Sequence, residues 1–255
     1  MIPAGEALAA MAALPFGPLS WITQGRPVLI VAPHPDDESL GCGGLIAQLC
    51  QAGTPPRVVI LTDGTGSHPG SAAYPPERLR TVREAEAREA VRLLGLPADR
   101  IGFAGQRDTA APTSGPAFAA AVRLLAEQCQ SEAVGTVIAP WQHDPHCDHE
   151  AAHLQAAGVC QQLALRHLSY PVWGWTLPPA QPLSGGLPHG IRLDIRNDLA
   201  VKTAAIQAHK SQYGGLIPDD PSGFVLPRDL LSVFERPWET FLEQAGEPDS
   251  SVPLR

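Results

Sequence analysis

The sequence predicts an α/β domain, a mostly parallel sheet flanked by helices, on three observations. Short apolar segments such as Val28-Leu29-Ile30-Val31-Ala32 alternate with longer amphipathic stretches, the mark of repeated βαβ units. These segments are near-continuously apolar, as strands buried on both faces are. A length of 255 residues suits one large domain with a substantial core.

The elements follow in order. Strands are expected at 27–32, 57–62, 100–104, 135–140, 169–175 and 191–195, and helices at 43–51, 77–94, 115–130, 149–166 and 200–212. The helix from 77 carries a stop signal, Leu94-Gly95 with Pro97 close behind. In the strand at 169–175, Trp173 and Trp175 alternate with Val172 and Gly174, which puts both indoles on one face, either over the core or stacked on a bound ring. Two loops rich in Gly, Pro and Ser, 64–76 and 177–190, are expected to form much of a pocket wall. Beyond Ile217 an amphipathic stretch, 226–242, with Phe234, Trp238 and Phe241, reads as a C-terminal helix packed on the body, followed by a frayed tail at 247–255. The division is an N-terminal extension (1–26), the main domain (27–215) and a C-terminal helix and tail (216–255).

Composition excludes several classes. The net charge is −8, and two lysines stand against sixteen arginines. No basic stripe tracks a phosphate backbone, which argues against nucleic acid. Residues 1–19 are Ala-rich but carry Glu6 and no early positive charge. That argues against a secretory signal, and no apolar run is long enough to span a bilayer. Five cysteines without a C-x-x-C pair read as free thiols in a reducing compartment. The expectation is a cytoplasmic protein.

The chemistry concentrates at two strand ends. His34-Pro35-Asp36-Asp37-Glu38 follows the first strand, and His143-Asp144-Pro145-His146-Cys147-Asp148-His149 follows the strand at 135–140. Open parallel sheets bind ligands beyond the carboxyl ends of their strands, so the two clusters are expected to face each other across a cleft. Three adjacent carboxylates repel unless a cation, a shared proton or solvent relieves them; a divalent metal is the simplest relief. His34, Asp37 and His149 offer two nitrogens and one oxygen, a mononuclear zinc set with one position open for water. Gly41-Cys42-Gly43-Gly44 lacks phosphate-loop spacing and fits close helix–strand packing better.

These motifs resemble the zinc-dependent de-N-acetylases of the PIG-L (LmbE-like) family. Arg83-x-x-Glu86-x-x-x-Ala90-x-x-x-Leu94-Gly95 and Lys202-x-x-Ala205-x-x-x-His209-x-Ser211-Gln212 are similar to two of its helices. The resemblance implies a single Rossmann-like domain with His34, Asp37 and His149 as metal ligands. Zinc is the expected ion, and Fe2+ can occupy the same donors. It further implies Asp36 as general base, His146 as oxyanion stabiliser when protonated, Asp148 as the carboxylate holding an active-site imidazole, and Arg83 as a substrate-binding group. The substrate would be a small N-acetylated sugar or sugar conjugate; the residues leave its identity and the oligomeric state open. One departure stands out. Cys147 occupies the family's proline position, and its thiol is a rival zinc ligand, disfavoured because neighbours on an extended loop point apart. The competing classes are a magnesium-dependent phosphohydrolase, against which the histidines argue, and a non-catalytic sugar- or nucleotide-binding module.

Overall fold

The computed structural model describes residues 1–243. In chain order these form β1 (Ile2–Pro3), α1 (Ala4–Ala13), α2 (Leu19–Thr23), β2 (Val28–Ala32), α3 (Asp37–Gln51), β3 (Arg57–Thr62), α4 (Pro76–Leu93), β4 (Ile101–Gln106), α5 (Gly115–Ser131), β5 (Thr136–Pro140), α6 (Cys147–Leu163), β6 (Arg166–Tyr170), β7 (Pro182–Leu183), β8 (Gly190–Asp194), α7 (Leu199–Ala208), α8 (Lys210–Tyr213), α9 (Arg228–Phe234) and β9 (Trp238–Glu243).

A seven-stranded sheet of order β4-β3-β2-β5-β6-β9-β8 organises the molecule. The first five strands in that order are mutually parallel, and β9 runs antiparallel to both β6 and β8. Every residue of β2 and of β5 is buried, which explains their unbroken apolar sequence. Val28, Ile30 and Ala32 enter one core with Leu45, Ile46 and Val91, while Leu29 and Val31 enter the other with Leu125 and Val159. Strand order reverses between the neighbours β2 and β5, so a crevice opens beyond their carboxyl ends.

The glycines after β2 serve packing. A Cβ on Gly41 would lie 2.1 Å from the Tyr170 ring, and one on Gly44 would lie 2.4 Å from Ile195. Tyr170 crosses above α3 and donates to the Val31 carbonyl at 3.0 Å.

Several elements differ from expectation. Helix α3 begins at Asp37, six residues early, because two carboxylates in its first turn suit the positive end of the helix dipole. The expected strand at 169–175 stops at Tyr170, and Trp173–Thr176 form a 3₁₀ turn. Pro171 breaks the ladder, and one carboxylate, Asp144, takes the N–H groups of Val172, Trp173 and Gly174. The two indoles consequently do not share a strand face. The expected helix at 200–212 breaks at His209 into α7 and α8. The expected C-terminal helix at 226–242 is α9 followed by β9. Pro237 ends helical continuation, and the Trp238–Glu243 segment pairs between β6 and β8 with its four central residues buried. The tail at 247–255 lies outside the described residues.

Residues 1–26 pack onto the body. Met11 and Ala7 of α1 share a small core with Trp141, Leu177 and Leu183, and β1 pairs antiparallel with β7. That pairing draws the 177–190 loop toward the N-terminus. Among the described residues, no helix is long and apolar enough to cross a membrane.

One buried histidine ties this fold to pH. His167 on β6 stacks 5.0 Å from His153, and burial, aided by His153, lowers its pKa to about 3. The unfolded chain takes up a proton near pH 6.5, whereas the folded chain resists it down to about pH 3. The resulting stability is complete above about pH 6.5 and declines as pH falls, by at most ~1.4 kcal/mol per pH unit. His167→Gln is therefore expected to narrow the difference in urea stability between pH 7 and pH 5 by up to about 2 kcal/mol. An unchanged difference would show that His167 does not govern acid sensitivity.

Candidate metal centre

The loop between β2 and α3 bends sharply, and Asp36 takes φ 145° and ψ −29°, a conformation that costs a non-glycine residue roughly 1–3 kcal/mol. Its neighbours hold it there. The Asp36 N–H donates to Glu38 Oε2 at 3.0 Å, and its carbonyl accepts from Ser39 and Leu40 at the start of α3. Glu38 is held in turn by Ser39 Oγ at 2.7 Å and by the His209 ring at 3.1 Å. His209 thus acts from α7's end as a support beneath the loop rather than as part of its lining. Ser211 likewise caps Glu86 through its N–H and hydroxyl.

Arg83, on α4, is buried and donates to the carbonyls of Gly64 and Pro35 at 2.9 and 2.8 Å. Its Nη2 lies 3.3 Å from Asp36 Oδ2. Gly64 has φ 66°, and a Cβ there would meet Arg83 Nη1 at 2.8 Å, so this approach requires glycine. Both Nη atoms are on protein acceptors while the buried Nε has no hydrogen-bond partner among the described residues, so Arg83 clamps the Asp36 loop and also lines the pocket.

His34, Asp37 and His149 converge. Asp37 Oδ2 lies 3.2 Å from His34 Nδ1 and 3.3 Å from His149 Nε2. Adjacent donors on a tetrahedral ion with bonds of about 2.0–2.1 Å stand about 3.3 Å apart. His149 Nε2 is out of line for a hydrogen bond to that oxygen, and it is buried with no hydrogen-bond partner among the described residues. His34 Nδ1, by contrast, is in hydrogen-bond geometry with the same oxygen, so one carboxylate oxygen faces both imidazoles. One ring nitrogen each of His34, His146 and His149 also fall within 4.8 Å of one another. These residues fit a divalent cation bound by two imidazoles and one carboxylate.

The outer nitrogens are held by carboxylates. His149 Nδ1 meets Asp144 Oδ2 at 2.9 Å. His34 Nε2 meets Asp148 Oδ2 at 3.0 Å and Asp108 Oδ1 at 3.4 Å. Such partners fix the tautomer and the aim of a ligating ring. Asp148 is itself held by the N–H groups of Thr109 and Ala111 at 2.7 and 3.0 Å. Its side chain therefore serves His34, while its own N–H donates to His146 Nδ1 at 3.2 Å. That bond places the proton of a neutral His146 on Nε2.

Electrostatics agree with this reading. Burial alone would raise the Asp37 pKa and lower those of the two histidines. The interaction wins: Asp37 is held well below the usual carboxylate range by His149 and His34, and His149 rises to about 9 beside Asp37 and Asp144. His34 is likewise raised against burial by Asp108, Asp148 and Asp37. So many carboxylates around these rings demand a positive charge, from protons or from a metal. Asp36 behaves oppositely: burial lifts it to about 7 despite Arg83. His146 is lowered, by burial first and then by His34 and His149.

All seven residues singled out from the sequence lie around this one crevice. His34, Asp36, Asp37, Arg83 and His146 line a pocket with water-accessible volume ≈ 200 Å³, while Asp148 and His149 sit behind it. Sequence reading missed Asp108 and Asp144. Asp108 follows the carboxyl end of β4, the same signal that marked the other clusters, and Asp144 stood unremarked inside the second cluster. The pocket wall also departs from expectation. The 64–76 loop contributes Gly66 and Ser67, but the 177–190 loop contributes nothing; Thr109, Trp173, Phe224 and Leu226 take its place.

Comparison with known proteins places this arrangement. The chain is 38% identical to 2'-N-acetylparomamine deacetylase of Streptomyces fradiae across 54% of its own length and 53% of that protein's; it spans about half of that relative. It is 29% identical to a probable N-acetyl-alpha-D-glucosaminyl L-malate deacetylase 2 of Bacillus anthracis, over 74% of this chain and 82% of that one. Its fold resembles N,N'-diacetylchitobiose deacetylase from Pyrococcus horikoshii, with TM-score 0.61, 24% identity, and coverage of 88% and 87% of the two chains. Residues 29–159, from the central strand β2 through most of the helix bearing His149, match the family described as PIG-L, GlcNAc-PI de-N-acetylase, and the chain belongs to that family.

Proposed function

We propose that this protein is a metal-dependent hydrolase that removes an acetyl group from the nitrogen of an amino sugar or its conjugate. The observation that carries the reading is the donor set of His34 Nδ1, Asp37 Oδ2 and His149 Nε2, two of its separations matched to a tetrahedral ion and one buried nitrogen otherwise without a partner. Two imidazoles favour zinc, with Fe2+ able to take the same donors. When bound, such an ion supplies a water acidic enough to act as nucleophile near neutral pH and polarises the amide carbonyl.

The remaining groups have separable tasks. Asp36 lines the pocket beside the ligand cluster and takes the proton of the attacking water, then returns it to the departing amine. Arg83 and the Glu38–His209 pair are positioning residues that hold the Asp36 carboxylate in its strained loop. His146 presents Nε2–H to the carbonyl oxygen as negative charge develops there. Its neutral tautomer, set by the Asp148 N–H, already supplies this donor, so protonation is not needed. Asp148, Asp108 and Asp144 orient the two ligating rings.

Trp173 and Phe224 form an edge-to-face pair 5.7 Å apart and, with Leu40 and Leu226, make one apolar wall of the pocket. Such a wall suits the apolar face of a pyranose ring. Trp173→Ala is expected to raise KM about three- to tenfold, the worth of one aromatic contact, with a smaller change in kcat. A loss confined to kcat would place Trp173 outside the binding surface.

The reading is tested by acetate release from a panel of N-acetylated amino sugars, using N-acetylglucosamine conjugates and an N-acetylated aminoglycoside, with metal content measured on the same protein. Turnover that follows metal content supports it. A metal-replete protein that hydrolyses none of the panel would count against the sugar amide as substrate.

A further inference from the structure

The exposed thiol at the start of α6 is not part of the donor set assigned above. Cys147 Sγ faces two oxygens, the Thr109 carbonyl at 3.7 Å and Asp148 Oδ1 at 3.9 Å. A ring nitrogen of His146, the thiol and a carboxylate oxygen of Asp148 all lie within 4.8 Å of one another. One S–H proton cannot serve both oxygens well. On a tetrahedral ion with a metal–sulfur bond of about 2.3 Å and metal–oxygen bonds of about 2.0–2.2 Å, sulfur and oxygen stand about 3.6 Å apart. Both observed separations are close to that. Thr109 is held with φ 64°, rare for a β-branched residue, while its N–H is fixed to Asp148 Oδ2. Cys147 and Thr109 are exposed, His146 is half-buried and Asp148 is buried, so this second group of donors opens to solvent on its sulfur side.

We propose that Cys147 Sγ, Asp148 Oδ1, a nitrogen of His146 and the Thr109 carbonyl form a second site for a borderline or soft divalent cation, and that its occupancy shuts down the hydrolytic centre. Thiolate and carboxylate together neutralise the ion, and the thiol proton is released to solvent on binding. Ligation through His146 Nε2 displaces the proton that this nitrogen presents to the pocket. Ligation through Nδ1 instead breaks the Asp148 N–H bond that aims the ring. The inhibitory part rests on the role given to His146 above; the existence of the site does not. The chemistry selects for sulfur: Zn2+, Co2+ and Cd2+ should bind and Mg2+ should not. A proline, the residue the family pattern carries here, could not build it.

Titration of the full-length protein, its first site already filled, with Co2+ tests this. The expected result is a thiolate-to-cobalt charge-transfer band that grows with a second equivalent of metal and is absent in Cys147→Ser and Cys147→Pro. Amide hydrolysis should fall as the band rises in the wild type, while each variant tolerates at least tenfold more Co2+ or Cd2+. No band, or a band of equal strength in both variants, would overturn the site. A band with hydrolysis unaffected would overturn the inhibitory link. Should the protein release no acetate from any sugar, the band still reports on the site by itself, so the two readings fail separately.

Discussion

Asp37→Ala is expected to leave the purified protein with less than about a tenth of an equivalent of metal, against about one in the wild type, and with no measurable turnover. Asp37 Oδ2 is the donor lying between the two imidazoles, 3.2 and 3.3 Å away, so its removal takes away both a ligand and the charge that holds the rings. His149→Ala should do the same from the opposite loop. Binding that favours the folded state also stabilises it, by about 4 kcal/mol when free metal is a thousandfold above Kd. Chelation should therefore lower the melting temperature of the wild type and leave that of Asp37→Ala unchanged. Elemental analysis and paired melting curves check both halves. Full metal content in either variant would remove that residue from the donor set.

Asp36→Asn is expected to lower kcat by about 10²- to 10⁴-fold, the usual contribution of a positioned general base, with metal content retained. Asparagine is the informative replacement because it keeps the size and shape of aspartate at a residue whose neighbours hold it at φ 145°. Alanine would mix backbone strain with lost chemistry. The amide keeps an oxygen for Arg83 Nη2, now 3.3 Å from Oδ2, so the clamp survives while the proton acceptor is lost. Activity within tenfold of wild type, with metal bound, would assign the base elsewhere. Metal loss would instead show that Asp36 holds its neighbour Asp37 in place.

These two residues are adjacent in sequence yet are shifted in opposite directions by their surroundings. Asp37 is stabilised as an anion by two imidazoles, whereas Asp36 is driven by burial toward about 7, within reach of accepting and returning a proton. Behind the rings, Asp144 and Asp148 are tied to several backbone N–H groups, which fixes their positions.

The local code determined much of this protein. Unbroken apolar runs marked β2, β3 and β5 because parallel strands are buried on both faces, and helical periodicity marked α4 and α5. The clusters at 34–38 and 146–149 were legible because ligands and acid–base groups at the ends of such strands have few bland uses. What tertiary structure alone decided is whatever depends on partners distant in sequence. The segment Trp238–Glu243 continues the amphipathic stretch before it and carries no strand alternation, and only pairing with β6 and β8 selects the strand. Trp173–Thr176 curl into a 3₁₀ turn where Asp144, some thirty residues earlier, takes the N–H groups of Val172, Trp173 and Gly174. Asp108 stands at a strand end and Asp144 inside a motif, but only folding set them against His34 and His149 and brought the Thr109 carbonyl beside Cys147. Periodicity and strand-end chemistry are properties of neighbouring residues and can be read along the chain. Which carboxylate meets which ring nitrogen is a property of the packed sheet, set by strand order and by where its loops come to rest.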